Sequence, residues 1–383
     1  MGKRILILSE KVGEGHERAA KAVQKAIYTL EFAAHVLILN PWKTFYPALT
    51  QLSTETYLMT LKVKPELWGY IYDKERAQKG KKIIKVVGKG IYFQMERVLK
   101  HFKPDFILCT HPFTYYAIYH FKKELVKNGV TIASIITDYD IHGYWIDDCV
   151  DIYFVASDDI KQKIADNGVR PDNIYVTGIP VDPSFSKRPD KYKTRIKLGL
   201  DVERPVVLIM GGGLGLGNIE SIAQEISKVR RNYQVIIIAG SNEELKNKAM
   251  AIARESLTPM HVTGFVNNIN EYMAASDLIV TKAGGLTISE ALAMELPIII
   301  NTALPGQEMY NLDFLLKKQA AIKANGAKDI IAAIDQLLTN AELYETIKEN
   351  CRKISKPNSA IDVAKIILDK IDQSKKFFNP SNK

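Results

Sequence analysis

Three glycine-rich stretches carry the residue types best suited to chemistry. The first, Gly13-Glu14-Gly15-His16, directly follows a short apolar run, Arg4–Leu8, and opens a segment with alanines and valine at helical spacing. Glycine there lets backbone or ligand approach closely, as at Gly15. His16, with an ordinary pKa near neutrality, is either a general base or a helix cap. The second, Gly211-Gly212-Gly213-Leu214-Gly215-Leu216-Gly217, also stands between an apolar run and a helical segment. Its bare N–H groups suit a diphosphate. A dinucleotide fingerprint would place an acid at the tip of the next strand, about 20 residues on. That strand, Gln234–Ala239, ends instead in Gly240-Ser241-Asn242, which counts against NAD.

The third stretch runs Thr281-Lys282-Ala283-Gly284-Gly285-Leu286-Thr287-Ile288-Ser289-Glu290. A Gly-Gly turn starts a helix there. Thr287 is placed to donate to a phosphate and Glu290 to hydrogen-bond a ribose diol. One strand later, Leu304-Pro305-Gly306-Gln307-Glu308-Met309-Tyr310-Asn311 offers amides and a carboxylate for sugar hydroxyls. Each stretch alone is compatible with turn and capping chemistry; two at successive strand tips favour a ligand. Asp138-Tyr139-Asp140 spells a DxD, a manganese ligand pair in another fold. Here it lies far in sequence from every diphosphate candidate and reads as acceptor-side or structural. The histidines lack metal-ligand spacing, so no metal is expected.

The elements that must position these residues alternate from end to end. Apolar runs at Arg4–Leu8, His35–Leu39, Asp105–Cys109, Thr131–Ile136 and Ile152–Val155 predict buried strands separated by helices and loops. The pattern restarts at Val206–Met210 and continues through Gln234–Ala239, His261–Thr263, Asp277–Thr281 and Pro297–Asn301. Continuous apolar strands between helices imply parallel sheets covered on both faces. The chain therefore reads as α/β, with doubly wound domains at 1–182 and 183–358 joined near the Pro- and Ser-rich segment Gly178–Lys193. A last helix within 359–383, with apolar positions 360, 363, 364, 367 and 371, is expected to cross back to the first domain.

Composition agrees. A chain of 383 residues, 46% hydrophobic and 25% charged, is that of a globular protein. No apolar run reaches the roughly 18–20 residues of a membrane span. The amino-terminal run reads as a strand, not a signal peptide. Cys109, Cys149 and Cys351 show no paired spacing, which suggests a reducing compartment. The net charge of +9 is concentrated: Lys62–Lys103 holds twelve basic and four acidic residues, a difference of +8. Trp68, Tyr92 and Phe93 are interleaved with Lys81, Lys82 and Lys85. That mixture suits an anionic membrane surface, a nucleic acid, or a solvated helical hairpin.

The ordered blocks GEGH, TDYDIHGYW (137–145), TGIPV (177–181), GGG (211–213), TKAGGLTISEAL (281–292) and PGQE (305–308) resemble one family. They are similar to the processive diacylglycerol glucosyltransferases and the plant monogalactosyldiacylglycerol synthases of glycosyltransferase family 28, over roughly residues 3–370. The resemblance implies a GT-B fold, two Rossmann-like domains facing a cleft. It implies inverting transfer of glucose or galactose from a UDP-sugar to diacylglycerol, with no cofactor, metal or nucleic acid. The enzyme would lie peripherally on the cytoplasmic face of the cell membrane. By position, Gly211, Gly212, Gly213, Ser241, Gly284, Gly285, Thr287 and the cation Lys282 would serve the diphosphate side. Phe265 and Val266 would frame uracil, and Glu290 the ribose. Gly306, Gln307, Glu308 and Asn311 would face the hexose. His16 or Asp138 would be the base, with Gly15, His142 and Trp145 on the acceptor side. Trp68, Lys81, Lys82, Lys85, Tyr92 and Phe93 would face the membrane. The glycine content of 211–217 and the pair His111-Pro112 depart from the family pattern. Three rival readings are transfer of N-acetylglucosamine to a polyprenyl-linked acceptor, a UDP-sugar 2-epimerase, and a non-catalytic UDP-sugar sensor.

Overall fold

A computed structural model describes residues 2–10, 14–47, 89–141 and 144–378. They form two compact units, residues 1–183 with 358–383, and residues 184–357. The first unit is built on β1 (Arg4–Leu8), β2 (His35–Leu39), β3 (Phe106–Cys109), β4 (Thr131–Ile135), β5 (Ile152–Val155) and β6 (Ile174–Val176). They pair in parallel in the order β2-β1-β3-β4-β5-β6. The second unit holds β7 (Val206–Met210), β8 (Gln234–Ile238), β9 (Met260–Thr263), β10 (Leu278–Lys282), β11 (Ile298–Thr302) and β12 (Ala321–Lys323). Its order is β12-β11-β10-β7-β8-β9, again parallel.

Both sheets reverse direction at one place. In the first unit β1 is followed outward by β2, while β3 adds on β1's other side. In the second, β7 is followed outward by β8 and β9, while β10 adds on the opposite side. The loops leaving β1 and β3, and those leaving β7 and β10, therefore part from one another. A crevice opens between them at the carboxyl ends of the strands. Every glycine stretch that follows a strand in this chain follows β1, β7 or β10.

The central strands are buried on both faces, as their unbroken apolar runs require. β2 departs from the expected buried strand. His35 is exposed and Leu37 is partly so, because β2 is the sheet edge and has only β1 beside it. The helix Gly15–Leu30, which carries His16 in its first turn, buries Ala19, Ala20, Val23, Ala26 and Ile27. Against this face lies the terminal helix Ser359–Phe378, through Val363, Ala364, Ile367 and Ile371. The terminal helix thus completes the core beneath β1 and β3. It also supplies Lys375 to Asp105 at 3.1 Å and Asp372 to Lys3 at 2.8 Å, surface pairs that contribute little.

Ile367 is fully buried in that seam. Ile367→Ala is expected to destabilise the first unit by about 2–5 kcal/mol. Urea titration of the full chain, followed by a first-unit tryptophan signal, checks this; an unchanged midpoint would mean that the terminal helix is not part of that core.

Candidate active site

In the first unit, the switch point gathers residues from three strand ends. His16 leaves the β1 loop, Thr110 and His111 follow β3, and Thr137 and Asp138 follow β4. The Thr110 main chain is tied to β1, its N–H donating to the Leu8 carbonyl at 3.0 Å and its hydroxyl to Ser9 Oγ at 2.9 Å. So fixed, the Thr110 carbonyl stands 2.7 Å from His16 Nδ1, with Thr137 Oγ1 at 2.9 Å from the same nitrogen. A carbonyl only accepts, so Nδ1 carries the proton. The lone pair of the neutral ring is then on Nε2, which has no hydrogen-bond partner among the described residues. Burial pushes the His16 pKa down to about 4, against the opposing pull of the Thr110 carbonyl. The imidazole is therefore neutral across the physiological range, with an unprotonated lone pair. His111 packs edge-on against it, ring centroids 4.7 Å apart. His111 Nδ1 accepts from the Phe113 N–H at 3.2 Å.

Asp138 is half-buried and adjoins Thr137, so both candidate bases come to one edge of the first sheet. The second carboxylate of the DxD is committed elsewhere: Asp140 is buried and pairs with Lys163 at 2.6 Å. Among the described residues no three His, Cys, Asp or Glu side chains converge as a metal site would require. Trp145 is fully buried, and its carbonyl accepts from the Tyr115 hydroxyl at 3.4 Å; it shapes the floor behind β4 rather than an open surface. Gly15 begins the His16 helix, and among the described residues nothing lies within 4 Å of where a Cβ would stand. Glu10 went unremarked in the sequence. It is buried at the end of β1, and its Oε1 accepts from the Trp42 N–H at 3.0 Å. Burial raises its pKa to about 7, outweighing the Trp42 hydrogen bond and the nearby charge of Lys43. Thr110 gave no signal in sequence, and Thr137 opened the TDYDIHGYW block without a role of its own, because each meets the His16 ring from more than ninety residues away.

In the second unit, the loop after β7 folds on itself through Leu216 N–H to Gly211 O at 3.0 Å and Gly215 N–H to Gly212 O at 3.1 Å. Gly211 could bear no side chain, since a Cβ would fall 1.8 Å from the Leu216 carbonyl. Ser241 braces the loop from the β8 turn, its N–H and hydroxyl donating to Gly213 O at 2.9 and 3.0 Å. The β10 loop faces it. Lys282 lies 3.4 Å from where a Cβ on Gly212 would be and 3.7 Å from that on Gly284. Its ammonium pairs with Glu308 Oε1, while Glu308 Oε2 accepts from the Leu304 N–H at 2.9 Å. Asn311, fully buried, donates to the Ala283 carbonyl at 3.0 Å and ties the PGQE helix to the β10 loop.

The helices that begin at this crevice, Gly285–Ala293 and Gln307–Lys317, have Gly284 and Gly306 as N-caps and no side-chain cap. Their first N–H groups and the positive ends of their dipoles are left for an anion. By contrast, Asn242 caps the helix Glu243–Glu255 on the same unit. Thr287 and Glu290 are buried within the first two turns of the Gly285 helix. Gln307 stands at the first position of its helix. Phe265, just past β9, is 56% exposed, an aromatic face available for stacking, with Val266 half-buried beside it. Asn301 was not singled out in sequence. It is only 6% exposed at the end of β11, and neither Nδ2 nor Oδ1 has a partner among the described residues. Leaving such groups unpaired costs on the order of 1–3 kcal/mol each.

Of the residues expected at a membrane surface, Trp68, Lys81, Lys82 and Lys85 lie outside the described residues, as does His142 of the expected acceptor block. Tyr92 stacks on Phe121 with centroids 4.6 Å apart and is a packing residue. Phe93 is 73% exposed. Among the described residues no helix is long and apolar enough to cross a membrane.

Comparison with known proteins agrees with this arrangement. Residues 16–181 match the family described as monogalactosyldiacylglycerol (MGDG) synthase, and residues 206–364 match the glycosyltransferase family 28 C-terminal domain. The chain belongs to glycosyltransferase family 28. It is 29% identical to the processive diacylglycerol beta-glucosyltransferase of Bacillus subtilis, over 96% of this chain and 95% of that protein. To the protein of the same name in Bacillus pumilus it is 28% identical, over 97% and 96%. The fold is shared with MurG of Acinetobacter baumannii, at a TM-score of 0.63 and 14% identity over 96% of this chain and 99% of that one. It is shared also with S. aureus MnaA, solved with UDP, at a TM-score of 0.63 and 12% identity over 100% and 98%. This family 28 glycosyltransferase therefore has the two-domain α/β GT-B fold.

Glu10 and His16 of the first unit have opposite linkage to folding. Between about 4.5 and 7, folded Glu10 holds a proton that the unfolded chain has lost, so its contribution to stability falls as pH rises through that window. Between 6.5 and about 4, unfolded His16 binds a proton that the folded ring refuses, so its contribution falls as pH drops. Glu10→Gln is expected to gain stability relative to wild type as pH rises from about 4.5 to 7. NMR should show His16 titrating near 4 with the proton on Nδ1. A His16 titration at 6.5 would mean that the ring is solvated.

Proposed function

We propose that this glycosyltransferase moves glucose from UDP-glucose to the hydroxyl of diacylglycerol, with inversion at the anomeric carbon, to make a β-glycolipid at a membrane surface. The observation that carries the reading is the placement of Lys282 against both glycine loops of the second unit. It gives one crevice two bare loops, an uncapped helix start and a cation. That set fits a diphosphate. The sugar and the acceptor follow the names borne by the full-length relatives, both diacylglycerol beta-glucosyltransferases.

In this reading the diphosphate rests on the N–H groups of Gly284, Gly285 and the Gly211–Gly213 loop, with Lys282 turning from Glu308 toward it. Glu308 and Gln307 then face the hexose, Glu290 the ribose, and Phe265 with Val266 the uracil. The lipid oxygen attacks the anomeric carbon as the bond from that carbon to the β-phosphate oxygen breaks. The lipid proton passes to His16 Nε2, and the electron pair leaves with UDP. Helix dipoles and Lys282 meet the charge that develops on the leaving group, so the reading requires no metal. Asp138, beside Thr137, is the second candidate to receive or stabilise that proton. The basic and aromatic segment Lys62–Lys103 supplies the attraction to an anionic leaflet.

His16→Ala is expected to leave UDP binding intact and to lower turnover by about two or more orders of magnitude. Incubation with labelled UDP-glucose, UDP-galactose and UDP-N-acetylglucosamine, with and without diacylglycerol, should give lipid-extractable label from UDP-glucose alone, unaffected by a chelator. Label from UDP-N-acetylglucosamine alone would sink the reading, and loss of activity with chelator would refute the metal-free arm. Neutralising Lys81, Lys82 and Lys85 should weaken sedimentation with anionic vesicles in a salt-dependent way. Unchanged sedimentation would remove the membrane-surface role of those lysines.

A further inference from the structure

Asn301 is a buried polar side chain of the second unit that the proposed chemistry leaves without a task. It is 94% buried at the carboxyl end of β11, and both atoms of its amide lack a partner among the described residues. Above it lies Gly217, the last glycine of the β7 loop. A Cβ on Gly217 would stand 3.2 Å from Asn301 Nδ2 and 3.7 Å from Oδ1. Gly217 itself is exposed and has a φ of 107°. The loop's hydrogen bonds tie Gly211, Gly212, Gly213, Gly215 and Leu216, and resume with the Asn218 carbonyl accepting from Ile222. None involves Gly217. The joint of the loop is therefore unbraced and rests on an unsatisfied amide. The nine-residue helix Ile219–Ser227 starts immediately beyond, and its N-cap, Asn218, makes no side-chain cap.

We propose that Asn301 is a positioning residue for the donor. When a nucleoside diphosphate engages the Gly211–Gly217 loop, the Asn301 amide hydrogen-bonds the main chain at the Gly217 joint and fixes the loaded loop. The inference rests on the diphosphate reading of this crevice and adds to it a residue that does not touch the ligand. Glycine suits 217 because a Cβ there would press on the amide at 3.2 Å and because glycine adopts that φ without strain. A polar group left unpaired in the empty protein is a stability cost that loading recovers, a trade seen where function sets the residue.

The test is Asn301→Leu, near in volume and without polar atoms, in the full chain. Thermal unfolding without ligand, calorimetric titration with UDP, and separate KM values for donor and acceptor are measured. The expected result is a melting temperature equal to or above wild type, UDP affinity down about tenfold or more, a raised donor KM and an unchanged acceptor KM. A clearly lowered melting temperature would overturn the proposal, since the amide would then be paired in the empty protein. So would unchanged UDP affinity. Wild-type protein that fails to bind UDP would instead sink the diphosphate reading itself.

Discussion

The tautomer of His16, on which the proposed role of the first unit turns, depends on one hydrogen bond, from His16 Nδ1 to the Thr110 carbonyl. The ring is crowded enough that its charge is suppressed, and the fixed carbonyl decides which nitrogen keeps the proton. Without that acceptor the lone pair would be shared between tautomers and turned partly away from the crevice. The carbonyl is itself held by β1, through the Leu8 carbonyl and the Ser9 hydroxyl. Thus the pairing of β1 with β3 sets the tautomer of a side chain on neither strand. A parallel sheet does this well, because its carboxyl ends bring loops from distant parts of the sequence to one edge.

The second unit solves a different problem with the same topology. In the proposed reading it holds two negative phosphates without surrounding them with counter-charges. Glycine at Gly284 and Gly306 leaves helix starts uncapped, and glycine at 211 permits a loop that any Cβ would break. Lys282, which lies against both loops, is already paired with Glu308. In the proposed reading a diphosphate takes over a part-buried ammonium already held in place, and in doing so releases a carboxylate toward the sugar. The unpaired amide of Asn301 and the unbraced Gly217 suggest where the empty loop keeps its freedom.

Much of this was legible in the sequence. The apolar runs at β1, β7 and β10 and the glycines after them were readable because strand burial and helix starts obey local rules of composition and spacing. Ten of the strands follow from those runs to within a residue or so at each end. β6 (Ile174–Val176) and β12 (Ala321–Lys323) did not, being three-residue strands at sheet edges with no run long enough to register. His16, Lys282 and Glu308 were identifiable by type and neighbourhood, although the pairing of Lys282 with Glu308 was not.

What the sequence determined by itself was the local chemistry: which helices begin at glycine, which strands are apolar throughout, and where a histidine or a lysine stands beside them. Tertiary structure alone decided which of these meet. Thr110 and Thr137 orient His16 from across the sheet, Glu10 is buried into a raised pKa, and Asn301 comes to lie under Gly217. The physical reason is that a hydrogen-bond partner, a desolvation or a close approach depends on distances in space. Between residues about ninety positions apart, those distances are set by strand order and register, which no local pattern encodes.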